Sequence, residues 1–262
     1  MQNLYKYLIA ATILQFTAFK TIAQERFELN SDLIWSEILN DYETFYQRDR
    51  LLRVAGVFSL GAVVANSRLD PKIQTWHQDN IKSSFSDNIS SVAKLFGEKT
   101  LMVPISLAAT AMQLSSTKNA FGHWGQLTFR SYLVGAPAVG TLQLLTGGSR
   151  PRDHYQDAHW RPFNDDNGVS GHAFMGAVPF LVLSKMEHLS PMQQNLALFA
   201  SGLSAWSRVN DDAHYFSQAL LGWFMAWEAV DAVNSNGLNG NWMQVSPYTF
   251  GDGIGVSVAV NW

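Results

Sequence analysis

The sequence predicts an all-α helical bundle with a short C-terminal β-hairpin or strand. Three observations carry that prediction. Apolar residues recur at helical spacing through most of residues 32–233. Serine, aspartate, proline and glycine stand where such stretches begin and end, as in Ser31-Asp32, Asp70-Pro71 and Gly147-Gly148. Strand-period alternation is confined to the tail, where Val256-Ser257-Val258-Ala259-Val260-Asn261-Trp262 follows a Gly251-Asp252-Gly253 turn.

In chain order, residues 1–23 read as a secretory leader. Lys6 lies in a short polar start, an apolar stretch runs from Tyr7 to Phe19, and cleavage is expected after Ala23. The apolar stretch is shorter than the ~20 residues of a spanning helix. The mature domain, residues 24–262, is therefore expected outside the cytoplasm, in the periplasm or cell envelope. Residues 32–47 place Leu33, Ile34, Ile38, Leu39, Tyr42, Phe45 and Tyr46 at helical spacing. Residues 51–65 form a second helix, and Asp70-Pro71 opens a third with proline in its first turn. Residues 83–88 read as a polar loop, residues 89–114 as one long helix bent at Pro104, and residues 115–119 as a break. Residues 126–145 form the next helix, kinked at Pro137 and stopped by Gly147-Gly148 in a left-handed conformation. His123-Trp124 read as loop or core. A loop rich in Asp, His and Asn, residues 152–168, leads to three more apolar helices over residues 171–186, 191–206 and 214–233. Polar residues interrupt each of them, so they read as helices of a buried bundle rather than clean membrane spans; membrane contact stays open. The core is expected over residues 51–233 and the β-like tail over residues 240–262.

One domain behind a leader fits 262 residues with no linker-like run and no internal repeat. Charged residues make up only 15% of the chain, against roughly 25% in a soluble domain. With nine Trp and sixteen Phe, that composition favours an apolar, lipid-linked substrate or proximity to lipid. A net charge of −3 argues against a nucleic-acid partner, which selects a basic face. The chain has no cysteine, which excludes disulfides, thiolate nucleophiles and Cys-ligated metals. Asp153, His154, Asp157 and His159 crowd one loop but lack the helical spacing of a zinc motif. No metal and no cofactor is expected, and the oligomeric state is not legible.

Three short polar groups in this apolar background carry chemistry: Gly147-Gly148-Ser149-Arg150-Pro151, Val169-Ser170-Gly171-His172-Ala173, and Ser207-Arg208 followed after five residues by His214. Ser170 and Gly171 stand at the start of an apolar helix, where a serine cap and free backbone N–H groups make a seat for phosphate. His172 follows in the first turn. Arg150 and Arg208 can each hold phosphate oxygens in bidentate fashion. Two histidines can divide the labour of phosphoryl transfer. A neutral imidazole attacks phosphorus and carries the group covalently, while a protonated one gives its proton to the leaving oxygen. The arginines stabilise charge on the equatorial oxygens in the transition state.

In order and register, these groups resemble the three-part signature of the type 2 phosphatidic acid phosphatase superfamily. That superfamily includes lipid phosphatases, bacterial periplasmic acid phosphatases and vanadium haloperoxidases. The resemblance spans residues 143–218 and implies an all-α bundle with His214 as nucleophile and His172 as general acid. It further implies that Arg150, Arg208, Ser170 and the Gly171 amide bind phosphate. Three positions depart from the family pattern. Val169 replaces a proline, Gln143 stands where the phosphate-binding lysine belongs, and Gln218 stands where the aspartate that orients the nucleophile belongs. Gln218 Oε1 can still accept the His214 ring proton and fix its tautomer, and Asp211 or Asp212 can supply the missing charge from the loop. The implied function is hydrolysis of a phosphomonoester or pyrophosphate, lipid-linked, through phosphohistidine. The alternatives are a catalytically degenerate phosphate- or phospholipid-binding homologue and a vanadate-dependent haloperoxidase.

Overall fold

Periodic apolar sequence becomes nine α-helices and one β-hairpin among the described residues. The computed structural model describes residues 31–115, 119–153, 157–235, 243–250 and 253–260. The expected leader, His154, the Gly251-Asp252 turn and Trp262 lie outside them. The chain divides into two units, residues 1–40 and 41–262. Helix α1 (Ser31–Phe45) begins in the first; all other described elements belong to the second.

These elements are α2 (Arg48–Ala65), α3 (Leu69–Asn80), α4 (Ser84–Ala93), a 3-10 turn (Lys94–Gly97), α5 (Lys99–Ser115), α6 (Ala120–Thr146), α7 (Gly171–Ser184), α8 (Pro191–Asn210), α9 (Phe216–Ser235), β1 (Met243–Phe250) and β2 (Gly253–Val260). The two strands pair antiparallel, with Met243 opposite Val260 and Phe250 opposite Gly253. The all-α expectation with a terminal hairpin therefore stands. None of the described helices is long and apolar enough to cross a membrane.

Helix α7 is apolar on nearly every side and packs against α6, α8 and α9, as an all-round hydrophobic helix must. Phe174, Ala177, Val178, Leu181 and Val182 meet Val134 of α6 and Leu221, Met225 and Ala229 of α9 in one core. Two prolines interrupt the ladders of these central helices, and each frees one carbonyl in the preceding turn. Pro179 of α7 frees Met175 O, which accepts the Tyr132 hydroxyl at 2.8 Å. Pro137 of α6 frees Leu133 O, which accepts the Tyr42 hydroxyl at 2.6 Å. In both cases a tyrosine from a neighbouring helix replaces the missing amide.

Five local expectations are corrected. Residues 83–88 are not a loop, because Ser83 and Ser86 form a reciprocal capping box that starts α4. The long helix expected over residues 89–114 is broken at the 3-10 turn. A Cβ on Gly97 would lie 2.7 Å from His172 O, so the chain needs a bare glycine where it passes α7. Helix α6 begins at Ala120 rather than 126, capped by the Asn119 side chain, and so takes in His123 and buried Trp124. Helix α8 runs on through Arg208 to Asn210, and α9 begins at Phe216, leaving His214 in the turn between them.

Away from that turn, α9 carries a buried ion network. Glu228 accepts from Arg50 and Arg53, and Asp231 from Arg50 and Lys185.

Candidate active site

The three polar groups are drawn together by hydrogen bonds between their own backbones and side chains. Helix α6 stops at Gly147 in the left-handed conformation (φ 59°), where a Cβ would collide with Arg161 O. The chain then continues through Gly148 and Ser149 to Arg150. Gly148 O accepts the Asn167 amide at 2.9 Å, which lays residues 165–170 against this segment. Ser170 then caps α7, its Oγ accepting the Ala173 amide at 3.2 Å, and its own N–H donates to Gln218 O of α9 at 2.9 Å. Gln218 Nε2 closes the ring by donating to Ser149 O at 2.8 Å.

His214 is 4% exposed and sits inside this ring. Its Nδ1 lies 3.1 Å from Gln218 Oε1 and 3.2 Å from Asn167 O. Both partners are acceptors, so Nδ1 carries the ring hydrogen and Nε2 presents its lone pair. Burial, then the charges of Arg208 and Arg150, push the imidazole pKa down to about 3, against the opposing hydrogen bonds to Gln218 and Asn167. The aspartates considered as charge partners are engaged elsewhere. Asp211 accepts from Ser90 Oγ at 2.6 Å and faces Lys94 and Arg208, while Asp212 accepts from Gln74 at 2.7 Å. The turn itself is held from outside. Buried Asp70 of α3 accepts the Ser217 amide at 2.9 Å and the Ser217 hydroxyl, a carboxylate at the N-terminus of α9, although burial raises its pKa.

The arginines are set for an anion. Arg150 Nε donates to Asn167 Oδ1 at 2.7 Å, and its terminal amino groups have no hydrogen-bond partner among the described residues. Arg208 is 9% exposed, and its Nε is buried without a partner there. Burial, then Arg152 and Arg150, lower the Arg208 pKa, against Asp211 and Glu98. The charges of Arg150 and Arg152 thus both bear on Arg208, an arrangement that an anion relieves.

His172, in the first turn of α7, directs Nε2 to Glu98 Oε1 at 3.1 Å. Its backbone carbonyl is held by Ser204 Oγ of α8 at 3.1 Å. Gln143 Nε2 donates to Val169 O at 2.8 Å and lies 3.3 Å from where a Gly171 Cβ would stand. It braces the loop before Ser170 instead of presenting a free cationic group.

All eight residues singled out from the sequence therefore belong to one region. Sequence reasoning missed Glu98, which lies in a stretch read as mid-helix, and Asn167, whose contacts to Gly148, Arg150 and His214 are all tertiary. It also missed Lys82, Lys94 and Arg152. These cations, with His172 and Arg208, line a cleft of about 540 Å³ that also contains Asp87, Glu98 and Asp211. Arg152, two residues after Arg150, was the one with a legible signal. In the loop of Asp157 and His159, Asp157 accepts from His159 and pairs with Arg161, while the Trp160 amide donates to Asn66 and the Arg161 amide to Gly147 O.

On its other face α4 borders an apolar groove of about 380 Å³, lined by Phe85, Ile89 and Val92 with Phe96, Phe180 and Leu203. Ser204, which holds the His172 carbonyl, lies on that groove too.

No curated protein and no solved structure matches the chain. Residues 127–233 match the family model described as the PAP2 superfamily. The matched segment runs from Leu127 within α6 to Val233 near the end of α9 and takes in every turn of the hydrogen-bonded ring. Over that segment the chain is similar to the type 2 phosphatidic acid phosphatase superfamily.

Proposed function

We propose that the protein is an exported phosphatase that hydrolyses a lipid-linked phosphomonoester or pyrophosphate through a phosphohistidine on His214. The match of residues 127–233 to that superfamily's model supports a phosphatase-type function in general. The observation that carries the finer reading is the state of His214: neutral, its Nδ1 hydrogen engaged, and its Nε2 lone pair free beside Arg150 and Arg208.

In the first step the Nε2 lone pair attacks phosphorus and the bond to the leaving oxygen breaks. His172 gives that oxygen its proton. Arg150, Arg208, Ser170 Oγ and the Gly171 amide take the charge on the phosphoryl oxygens. In the second step water attacks phosphorus as His172 takes its proton, the N–P bond breaks with its electron pair returning to Nε2, and phosphate leaves with His214 neutral again.

Two features support a lipid-linked substrate. The apolar groove runs along the face of α4 opposite the cleft. Phe85 on α4 and Met192 and Phe199 on α8 are more than two-thirds exposed, an unusual display of apolar surface. Placement outside the cytoplasm rests on the leader-like residues 1–23.

The test is phosphate release by the mature protein from a small aryl phosphate and a panel of lipid phosphates, with His214→Ala as control. Turnover abolished in the variant supports the reading, and undiminished turnover overturns it. Equal efficiency on soluble and lipid phosphates would remove the lipid-linked part alone.

A further inference from the structure

Two residues, Asn167 through its backbone and its side-chain amide and Gln218 through its side-chain amide, tie the nucleophile to the anion clamp. Asn167 makes four of them. Its carbonyl accepts from His214 Nδ1 at 3.2 Å, its Oδ1 accepts from Arg150 Nε at 2.7 Å, its Nδ2 donates to Asp165 at 2.7 Å, and its N–H donates to Gly148 O at 2.9 Å. Gln218 is tied on both sides as well. Oε1 accepts from His214 Nδ1 and from the Tyr215 amide, each at 3.1 Å, and Nε2 donates to Ser149 O at 2.8 Å.

The direction of each amide is over-determined. A guanidinium only donates and an ionised carboxylate only accepts, so Asn167 Oδ1 must face Arg150 and Nδ2 must face Asp165. Asp165 is held ionised: its burial is outweighed by the Asp166 amide, Ser149, Asn167 and Arg150, which bring its pKa below the ordinary carboxylate value. A backbone N–H faces Gln218 Oε1 and a carbonyl faces Nε2, so neither amide can flip without losing two hydrogen bonds. A carboxylate at 218 would set an oxygen against Ser149 O.

We propose that Asn167 and Gln218 are paired positioning residues, an uncharged amide frame that keeps the His214 imidazole and the Arg150 guanidinium in register on one anion and, by being uncharged, keeps the nucleophile available in acid. The inference rests on the phosphohistidine reading for its kinetic consequences, but not for its structural ones. The charged groups facing His214 are Arg208 from the end of α8 and Arg150 from the loop after α6. From residues 157–170 it meets the neutral Asn167 carbonyl, and from α9 only Gln218. The ring is buried, every charge on it is positive and both its partners are neutral, so protonation is opposed, first by burial and then by the arginines, until pH falls to about 3. An anion on the partner would reverse this: a carboxylate beside an imidazole raises its pKa by about 1–3 units.

Two variants separate charge from packing. Gln218→Glu keeps length and adds charge; Gln218→Met keeps length and removes all three side-chain hydrogen bonds. Kinetics against pH on a small aryl phosphate should show the acidic limb of kcat/KM moving up by about one to three pH units in Gln218→Glu. Gln218→Met should lower kcat with the limb in place. Asn167→Ala, which frees Arg150, should lower kcat/KM by about 100-fold, as misplacement of a catalytic group does. Its inhibition constant for inorganic phosphate should rise with it. An acidic limb unmoved in Gln218→Glu would overturn the proposal while leaving the phosphatase reading intact. If no form turns over, NMR titration of the His214 ring in the folded protein decides. A ring neutral at pH 5 in the parent and protonated there in Gln218→Glu supports the frame, and identical titrations refute it.

Discussion

His172 and His214 have the same side chain and opposite surroundings, and their partners separate their tasks. His214 is buried, faces two arginines, and hands its Nδ1 hydrogen to neutral oxygens. His172 is part-exposed in the cleft and meets the carboxylate of Glu98 at 3.1 Å. In the proposed mechanism the first setting leaves an Nε2 lone pair for phosphorus, and the second holds the ring that gives its proton to the leaving oxygen. A prediction belongs to this scale. Glu98→Gln should slow hydrolysis of alkyl phosphates, whose leaving oxygen needs a proton, by a sizeable part of the roughly 10²–10⁴-fold that general acid catalysis supplies. Nitrophenyl phosphate, with a stable leaving anion, should be nearly unaffected. Equal slowing of both substrates, read as kcat across a leaving-group series, would assign Glu98 a structural role only.

At the scale of elements, the site depends on helices that are interrupted and then repaired from a neighbour. The Tyr132 hydroxyl takes the Met175 carbonyl freed by Pro179, and does so from a buried position that raises its pKa. Tyr132→Phe should therefore destabilise the fold by about 1–3 kcal/mol, the range for leaving one buried acceptor unpaired. Chemical denaturation measures it, and an unchanged midpoint would show that water or a backbone shift replaces the hydroxyl. Such repairs also explain what was legible beforehand. Helices α6 to α9 and their three motifs announce themselves locally, through periodicity, a Ser170 cap and a Gly147 stop. The break at Lys94–Gly97 does not, because its cause is the passage of Gly97 over the His172 carbonyl, far along the chain. Residues 83–88 were misread because two serines, each a loop former alone, cap a helix when they bond reciprocally. Glu98, Asn167 and Lys82 carry no local signature at all; only the fold delivers them to the site.

For the whole molecule, the uncharged setting of His214 has a consequence in stability. Its folded pKa is near 3 and its ordinary value 6.5, so between those limits the unfolded chain binds a proton that the folded chain refuses. Stability therefore falls as pH drops through that window, by up to about 1.4 kcal/mol per pH unit from this group. The raised carboxyl of Asp70 acts the other way, since the folded chain keeps its proton to higher pH. Comparing unfolding free energies of the parent and His214→Gln at pH 7, 5.5 and 4 isolates the effect. The parent should lose ground to the variant as pH falls, and parallel curves would contradict the assignment. The most direct test of the central claim is a search for the covalent intermediate. The protein is mixed briefly with a substrate labelled at the phosphoryl group and denatured in alkali, which preserves a phosphohistidine. The account predicts label on His214 of the parent and none on His214→Ala. Turnover in the parent without protein-bound label, or label that persists in His214→Ala, would contradict it.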